Sequence, residues 1–138
     1  MEKLYTIEFN IPYKVSTNKF YSSRHWGFRK WVKNKWFEYL SFNILHIAKL
    51  KPVPKNKYPL VFVYHFYFAK RCLDSSNCSI MAKMIEDSLV DCRIIENDDQ
   101  NFVKGNILLV HKSDNQRDFV VLEIYGKYRE LEENMIKI

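Results

Sequence analysis

The sequence predicts an α+β fold: one domain spanning residues 1–138, in the order β-α-β-α-β-β, with about four strands in a mixed sheet and two main helices on one face. Three observations lead there. Several short segments carry apolar residues at a period of two, and two longer proline-free segments repeat them at helical spacing. No repeat, low-complexity tract or linker divides the chain.

Leu4 to Ile11 places Tyr5, Ile7, Phe9 and Ile11 on one face and Thr6, Glu8 and Asn10 on the other, the pattern of a half-buried strand. Pro12 and the polar run Ser16-Thr17-Asn18-Lys19 end it. From about Arg24 to Leu50 no proline intervenes, and Trp36, Tyr39/Leu40, Asn43/Ile44 and Ile47 recur as on an amphipathic helix whose first third is rich in Trp and Lys/Arg. The connection Lys51 to Lys57, with two prolines, stops that helix. Tyr58 to Ala69 is apolar on both alternating faces, so it belongs in the centre of a sheet or at a subunit contact. A second helix is expected at about Asn77 to Cys92, with Cys78, Met81, Ile85, Leu89 and Cys92 on one stripe. Asn106 to Lys112 and Arg117 to Tyr125 read as strands joined by the polar loop Ser113 to Gln116, most simply an antiparallel hairpin. The charged tail from Lys127 to Ile138 is expected to form a short helix.

Composition narrows the function classes. With 47% hydrophobic and 16% aromatic residues and only 3 Gly and 4 Pro, the chain has material for one core, which excludes disordered and collagen-like classes. The longest uncharged apolar stretch, Tyr58 to Ala69, is well short of the roughly 20 residues that cross a bilayer, and Glu2 is wrong for a signal peptide. A soluble, unexported protein with no membrane partner is expected. Cysteines at 72, 78 and 92 form no CxxC pair and the four histidines are scattered, which fits a reducing compartment and offers no clustered zinc ligands.

The net charge of +6 hides a division. Residues 1–73 carry 14 basic and 3 acidic side chains, a balance of +11, and residues 74–138 carry 8 basic and 13 acidic, a balance of −5. A basic half joined to an acidic half suggests a polyanion-binding surface beside something that needs carboxylates. Lys14, Lys19, Arg24, Arg29, Lys30, Lys33 and Arg71 are candidates to neutralise phosphates. Phe20, Tyr21, Trp26, Phe28 and Trp31 are candidates to stack on or wedge between bases.

Helix geometry sorts the acidic residues. At about 1.5 Å of rise per residue, Asn77 to Cys92 is about 22 Å long, and the extended return from Cys92 to Asp99 covers about the same distance. Asp98 and Asp99 can therefore come back beside the start of the helix, near Asp74, with the Lys83 ammonium in reach. Asp87 lies about 15 Å along the helix from Asn77, too far to share a ligand with Asp74. Converging carboxylates suit Mg²⁺, a hard cation that prefers oxygen donors, and a lysine beside it would counter charge on a phosphoryl transition state. Each residue also has a purely structural reading. Asp74, Ser75, Ser76 or Asn77 caps the helix, Lys83 and Asp87 make an i,i+4 pair, and Asp98-Asp99 is a turn.

The run Arg71-Cys-Leu-Asp74-Ser-Ser-Asn77-Cys-Ser-Ile-Met-Ala-Lys83-Met-Ile-Glu-Asp87-Ser-Leu89, followed by Asp98-Asp99 and Val103, resembles the RusA-type Holliday-junction resolvases, especially their phage-derived branch. The opening strand, Pro12 and the turn Ser16-Thr-Asn18-Lys-Phe-Tyr21 are similar to the start of that family. The resemblance implies a homodimeric, Mg²⁺-dependent endodeoxyribonuclease of a bacterial or phage-infected cytoplasm, with Mn²⁺ as a substitute and no small-molecule cofactor. It would resolve branched DNA by paired, symmetric nicks. It assigns Asp74 and Asp99 as metal-binding carboxylates, Asp98 as their neighbour in the site and Lys83 as the catalytic lysine; Asp87 also matches a family position, and its axial distance puts it, with Asn77, in a supporting place. The chain departs from the family in one respect: a single aspartate, Asp74, stands before Asn77 where the family commonly has Asp-x-Asp-Asn, which leaves the number of metals open. Two alternatives stand beside the resolvase: a non-catalytic DNA-binding or assembly protein of the same fold, and a single-strand or RNA nuclease with the same site.

Overall fold

Strands β1 (Glu2–Asn10), β2 (Leu60–Phe68), β3 (Val103–Lys112) and β4 (Phe119–Gly126) form one sheet in the order β1-β4-β2-β3 in the computed structural model, which describes residues 1–129. The helices are α1 (Thr17–Ser22), α2 (Trp26–Phe42), which runs on into a π-helical turn Asn43–Ile47, and α3 (Ser79–Asp91), preceded by a 3-10 turn Ser75–Cys78. The α+β class, the mixed four-stranded sheet and the two main helices are as the sequence predicts. Among the described residues no helix is long and apolar enough to cross a membrane. Residues 130–138, where most of the expected tail helix falls, lie outside the described residues.

β2 is central, as its two apolar faces require, hydrogen-bonded to β4 antiparallel and to β3 parallel. Its inward face, Leu60, Phe62, Tyr64, Phe66 and Phe68, is fully buried against the helices together with Val120, Leu122 and Ile124 of β4. α2 supplies Val32, Trp36 and Leu40 and the π-helical turn after it Ile44, each four residues from the last, and α3 supplies Met81, Ile85 and Leu89. Trp36 is fully buried, with its indole N–H satisfied by the Tyr13 carbonyl at 2.9 Å. Truncating it to Ala would cost about 3–5 kcal/mol.

The structure corrects two expectations about connection. β3 and β4 are not a hairpin: β4 lies between β1 and β2, and β3 lies beyond β2 at the sheet edge. The physical reason is burial. β4 has apolar residues on both faces and needs neighbours on both sides, whereas β3 exposes Lys104, Ile107 and Leu109 and tolerates an edge. The run at residues 16–19 is not only a break. Ser16 accepts from the Lys19 N–H at 3.0 Å and so caps α1, a short helix pinned by buried Phe20.

Candidate nucleic-acid interface and carboxylate site

α1 and the first turns of α2 enclose a groove of about 520 Å³. Phe20 turns into the core, so its neighbour Tyr21 points outward and is 60% exposed; Trp26, at the start of α2, is 71% exposed. Arg29, Lys30 and Lys33 line the same groove, with no carboxylate among its lining residues. Cations spaced along a helix beside exposed aromatic rings combine phosphate neutralisation with base stacking. Phe20 is therefore lost as a stacking candidate, and Trp31 packs edge-on against Tyr13 with centroids 4.9 Å apart.

The predicted phosphate contacts divide between two places. Tyr21, Arg29, Lys30 and Lys33 line the groove, and exposed Lys19 and Arg24 lie on or just after α1. Lys14 and Arg71 lie elsewhere: they border a separate cavity of about 290 Å³ with Lys70 and Arg117. The Lys14 ammonium donates to the Arg71 carbonyl and sits 4.8 Å from the Phe68 ring centroid, which makes it a tether for this loop.

α1 is fastened to the start of α3. Thr17 Oγ1 accepts the Ile80 N–H at 3.0 Å and so caps α3 from outside that helix. The same hydroxyl lies 3.1 Å from the Asn77 carbonyl, and the Asn18 N–H donates to Asn77 Oδ1 at 3.3 Å. Asn77, expected in a supporting place, thus joins the basic segment to the acidic one.

Lys83, just past the first turn of α3, donates to Asp87 Oδ1 at 2.9 Å and to Asp98 Oδ2 at 3.1 Å. The hydrogen bond to Asp87, with a further one to Asp98, holds the ammonium well above its ordinary pKa, so Lys83 remains a cation and is no general base near neutral pH. The return segment does bring Asp98 back to the helix. Asp99 turns away: its Oδ1 accepts from the Asn101 N–H and its carbonyl from Phe102 and Val103, each at 2.9 Å, which launches β3. Asp74 heads the 3-10 turn, exposed and without a capping hydrogen bond from its side chain. Asp87, set aside on axial distance from Asp74, is a direct partner of Lys83. Among the described residues no three His, Cys, Asp or Glu side chains are grouped to hold a metal ion. The residue types suit Mg²⁺; their grouping does not supply three ligands, and the Lys83 ammonium is the cation between Asp87 and Asp98.

Two features escape the sequence patterns. Glu86, one turn beyond Lys83, is only 6% exposed, and burial pushes its carboxyl up to about 7 against a downward pull from the Asn106 amide. Its signal in the sequence is a charge set in the apolar stripe Ala82, Ile85, Leu89. On the helix-free face of the sheet, His65 Nε2 lies 2.7 Å from Glu123 Oε1 and His65 Nδ1 lies 3.0 Å from His111 Nε2. Lys3, the strongest influence, then His65 and Tyr125, hold the Glu123 carboxyl down at about 2. No protein-family model matches the chain, and no curated protein matches it.

Proposed function

We propose that the protein binds branched DNA through the α1–α2 groove and nicks it as a RusA-like, Mg²⁺-dependent endonuclease. Support comes from one apposition: the basic, aromatic-lined groove and the cavity that Lys83 borders share Tyr21 of α1, which is bonded to the start of α3 through Thr17 and Asn77. In this reading Arg29, Lys30 and Lys33 hold phosphates and Tyr21 and Trp26 stack on bases. Lys83, fixed as a cation by its two carboxylates, neutralises charge that builds on the phosphoryl oxygens. Asp98 orients that ammonium. The resemblance gives Asp74 and Asp99 to Mg²⁺ with Asp98 as their neighbour in the site, and an ion held there would supply an activated water and a Lewis acid.

The helix-free sheet face supports a homodimer in the same reading, since Ile107 and Leu109 are 49% and 39% exposed there. A twofold pair of subunits suits a twofold pair of nicks. The ungathered aspartates favour a second reading, a DNA-binding protein of the same fold that does not cut.

The test is an end-labelled four-way junction incubated with and without Mg²⁺, beside linear duplex, single-stranded DNA and RNA. The nuclease reading expects metal-dependent nicks in the junction that Asp99→Asn and Lys83→Ala abolish. Binding with no metal-dependent nicks assigns the non-cutting function, and preferred cleavage of single strands or RNA assigns a different substrate.

A further inference from the structure

We propose that the cavity between Tyr21, the start of α3 and strand β3 is a pocket for one unpaired nucleobase, whose edge is read by the Glu86 carboxyl and the Asn106 carboxamide. The proposal rests on the DNA-binding reading and names what that site takes beyond phosphates. The cavity has about 290 Å³ and is bordered by Tyr21, Ser79, Ile80, Lys83, Glu86 and Asn106. That is at the small end of ligand pockets, room for a single planar ring system. Its lining supplies what a base needs: an exposed aromatic ring at Tyr21, an apolar wall at Ile80, and two polar groups side by side.

The polar pair is built, not incidental. With the Asn106 amide oriented so that its nitrogen meets acceptors, it donates to Glu86 Oε1 at 3.1 Å and to the Gly105 carbonyl at 3.0 Å. That leaves Glu86 Oε2 and the Asn106 carboxamide oxygen to meet the polar edge of a base. A carboxyl in the apolar stripe of α3 is costly to bury, and a leucine there would pack with Ile85 and Leu89 at no such cost.

Position makes the ligand a base on a strand. Tyr21 borders both this cavity and the α1–α2 groove, so a strand whose phosphates follow Arg29, Lys30 and Lys33 reaches the cavity by passing the Tyr21 ring. Lys83 borders the cavity and holds Asp98, which sets the base beside the ion pair proposed to act on the phosphate.

The experiment uses four-way junctions in which each nucleotide next to the branch is made abasic in turn, with binding followed by fluorescence anisotropy in EDTA. Wild type is expected to lose about 10-fold in affinity at one position and its twofold mate, the size of one stacked base. Asn106→Phe, which fills the cavity, should bind the intact junction about 10-fold more weakly than wild type does and lose that difference. Glu86→Gln, with folding checked by its melting temperature, should change which base is preferred at that position. Tight junction binding that is indifferent to every abasic position overturns the pocket and leaves the DNA reading standing. Absence of junction binding overturns both.

Discussion

Tyr21 separates two surfaces of opposite design. On the α2 side, Arg29, Lys30 and Lys33 project into an open groove with no carboxylate in its lining. On the α3 side, the charges beside the cavity are compensated or buried: Lys83 is held by Asp87 and Asp98, and Glu86 is buried beside the Asn106 amide. Uncompensated cations on a solvated surface bind a polyanion over a wide area with little geometric demand. Compensated charges bind weakly from a distance and act on groups placed against them. In the proposed reading, this difference gives holding to one side and chemistry to the other.

Variants can break that division at its strongest point first. Lys83→Ala is expected to lower junction nicking by at least about 10²-fold, the scale of one lost electrostatic stabiliser, while affinity stays within about twofold. Single-turnover rates set beside anisotropy titrations separate the two. The triple variant Arg29→Ala, Lys30→Ala, Lys33→Ala is expected to do the reverse. Its affinity at moderate salt falls by about 10²-fold, and the slope of log affinity against log salt drops by about three.

Glu86→Gln sharpens the comparison through stability. The folded Glu86 carboxyl binds its proton more tightly than the unfolded one, about 7 against 4.5. Its proton linkage therefore favours the folded state fully below about pH 4.5 and loses that advantage as pH rises through about 7, where the penalty of burying the ionised carboxyl is left uncompensated. Glu86→Gln removes the penalty, so at pH 8 it should stabilise the protein by on the order of 2 kcal/mol in urea titrations, with no gain at pH 4. Thr17→Val deletes the hydroxyl that caps α3 and ties it to α1. It is expected to cost about 1 kcal/mol and to weaken nicking more than binding.

The strands and helices were legible because their periodicity is local. Phe62, Tyr64, Phe66 and Phe68 announce a central strand by alternation, and Met81, Ile85 and Leu89 announce a helix by spacing. The β3–β4 connection was misread because a short polar loop reports proximity in sequence and nothing about which strand each partner pairs with. The apolar outer face of β4, with Phe119 and Val121, was the available sign of a central strand. In the site, the length of the return segment lets Asp98 come back along α3, but that segment is turns and bends, and Asp98 meets Lys83 partway along the helix. The directions of Asp74 and Asp99 depend on a 3-10 turn and a two-residue hydrogen bond that no spacing encodes. Glu86 is not legible as a buried acid, because a glutamate on a helix reads as solvated until the strand carrying Asn106 is laid against it.

The most direct test of the account places Asp98→Asn and the groove triple variant in one experiment on the same labelled junction, reading bound fraction in Ca²⁺ and nicks in Mg²⁺. Asp98→Asn is expected to bind like wild type and not nick. The triple variant is expected to bind poorly and to nick at a rate restored by raising its concentration. A triple variant that binds like wild type, or an Asp98→Asn variant that still nicks at the wild-type rate, would contradict the division of labour between the two sides of Tyr21.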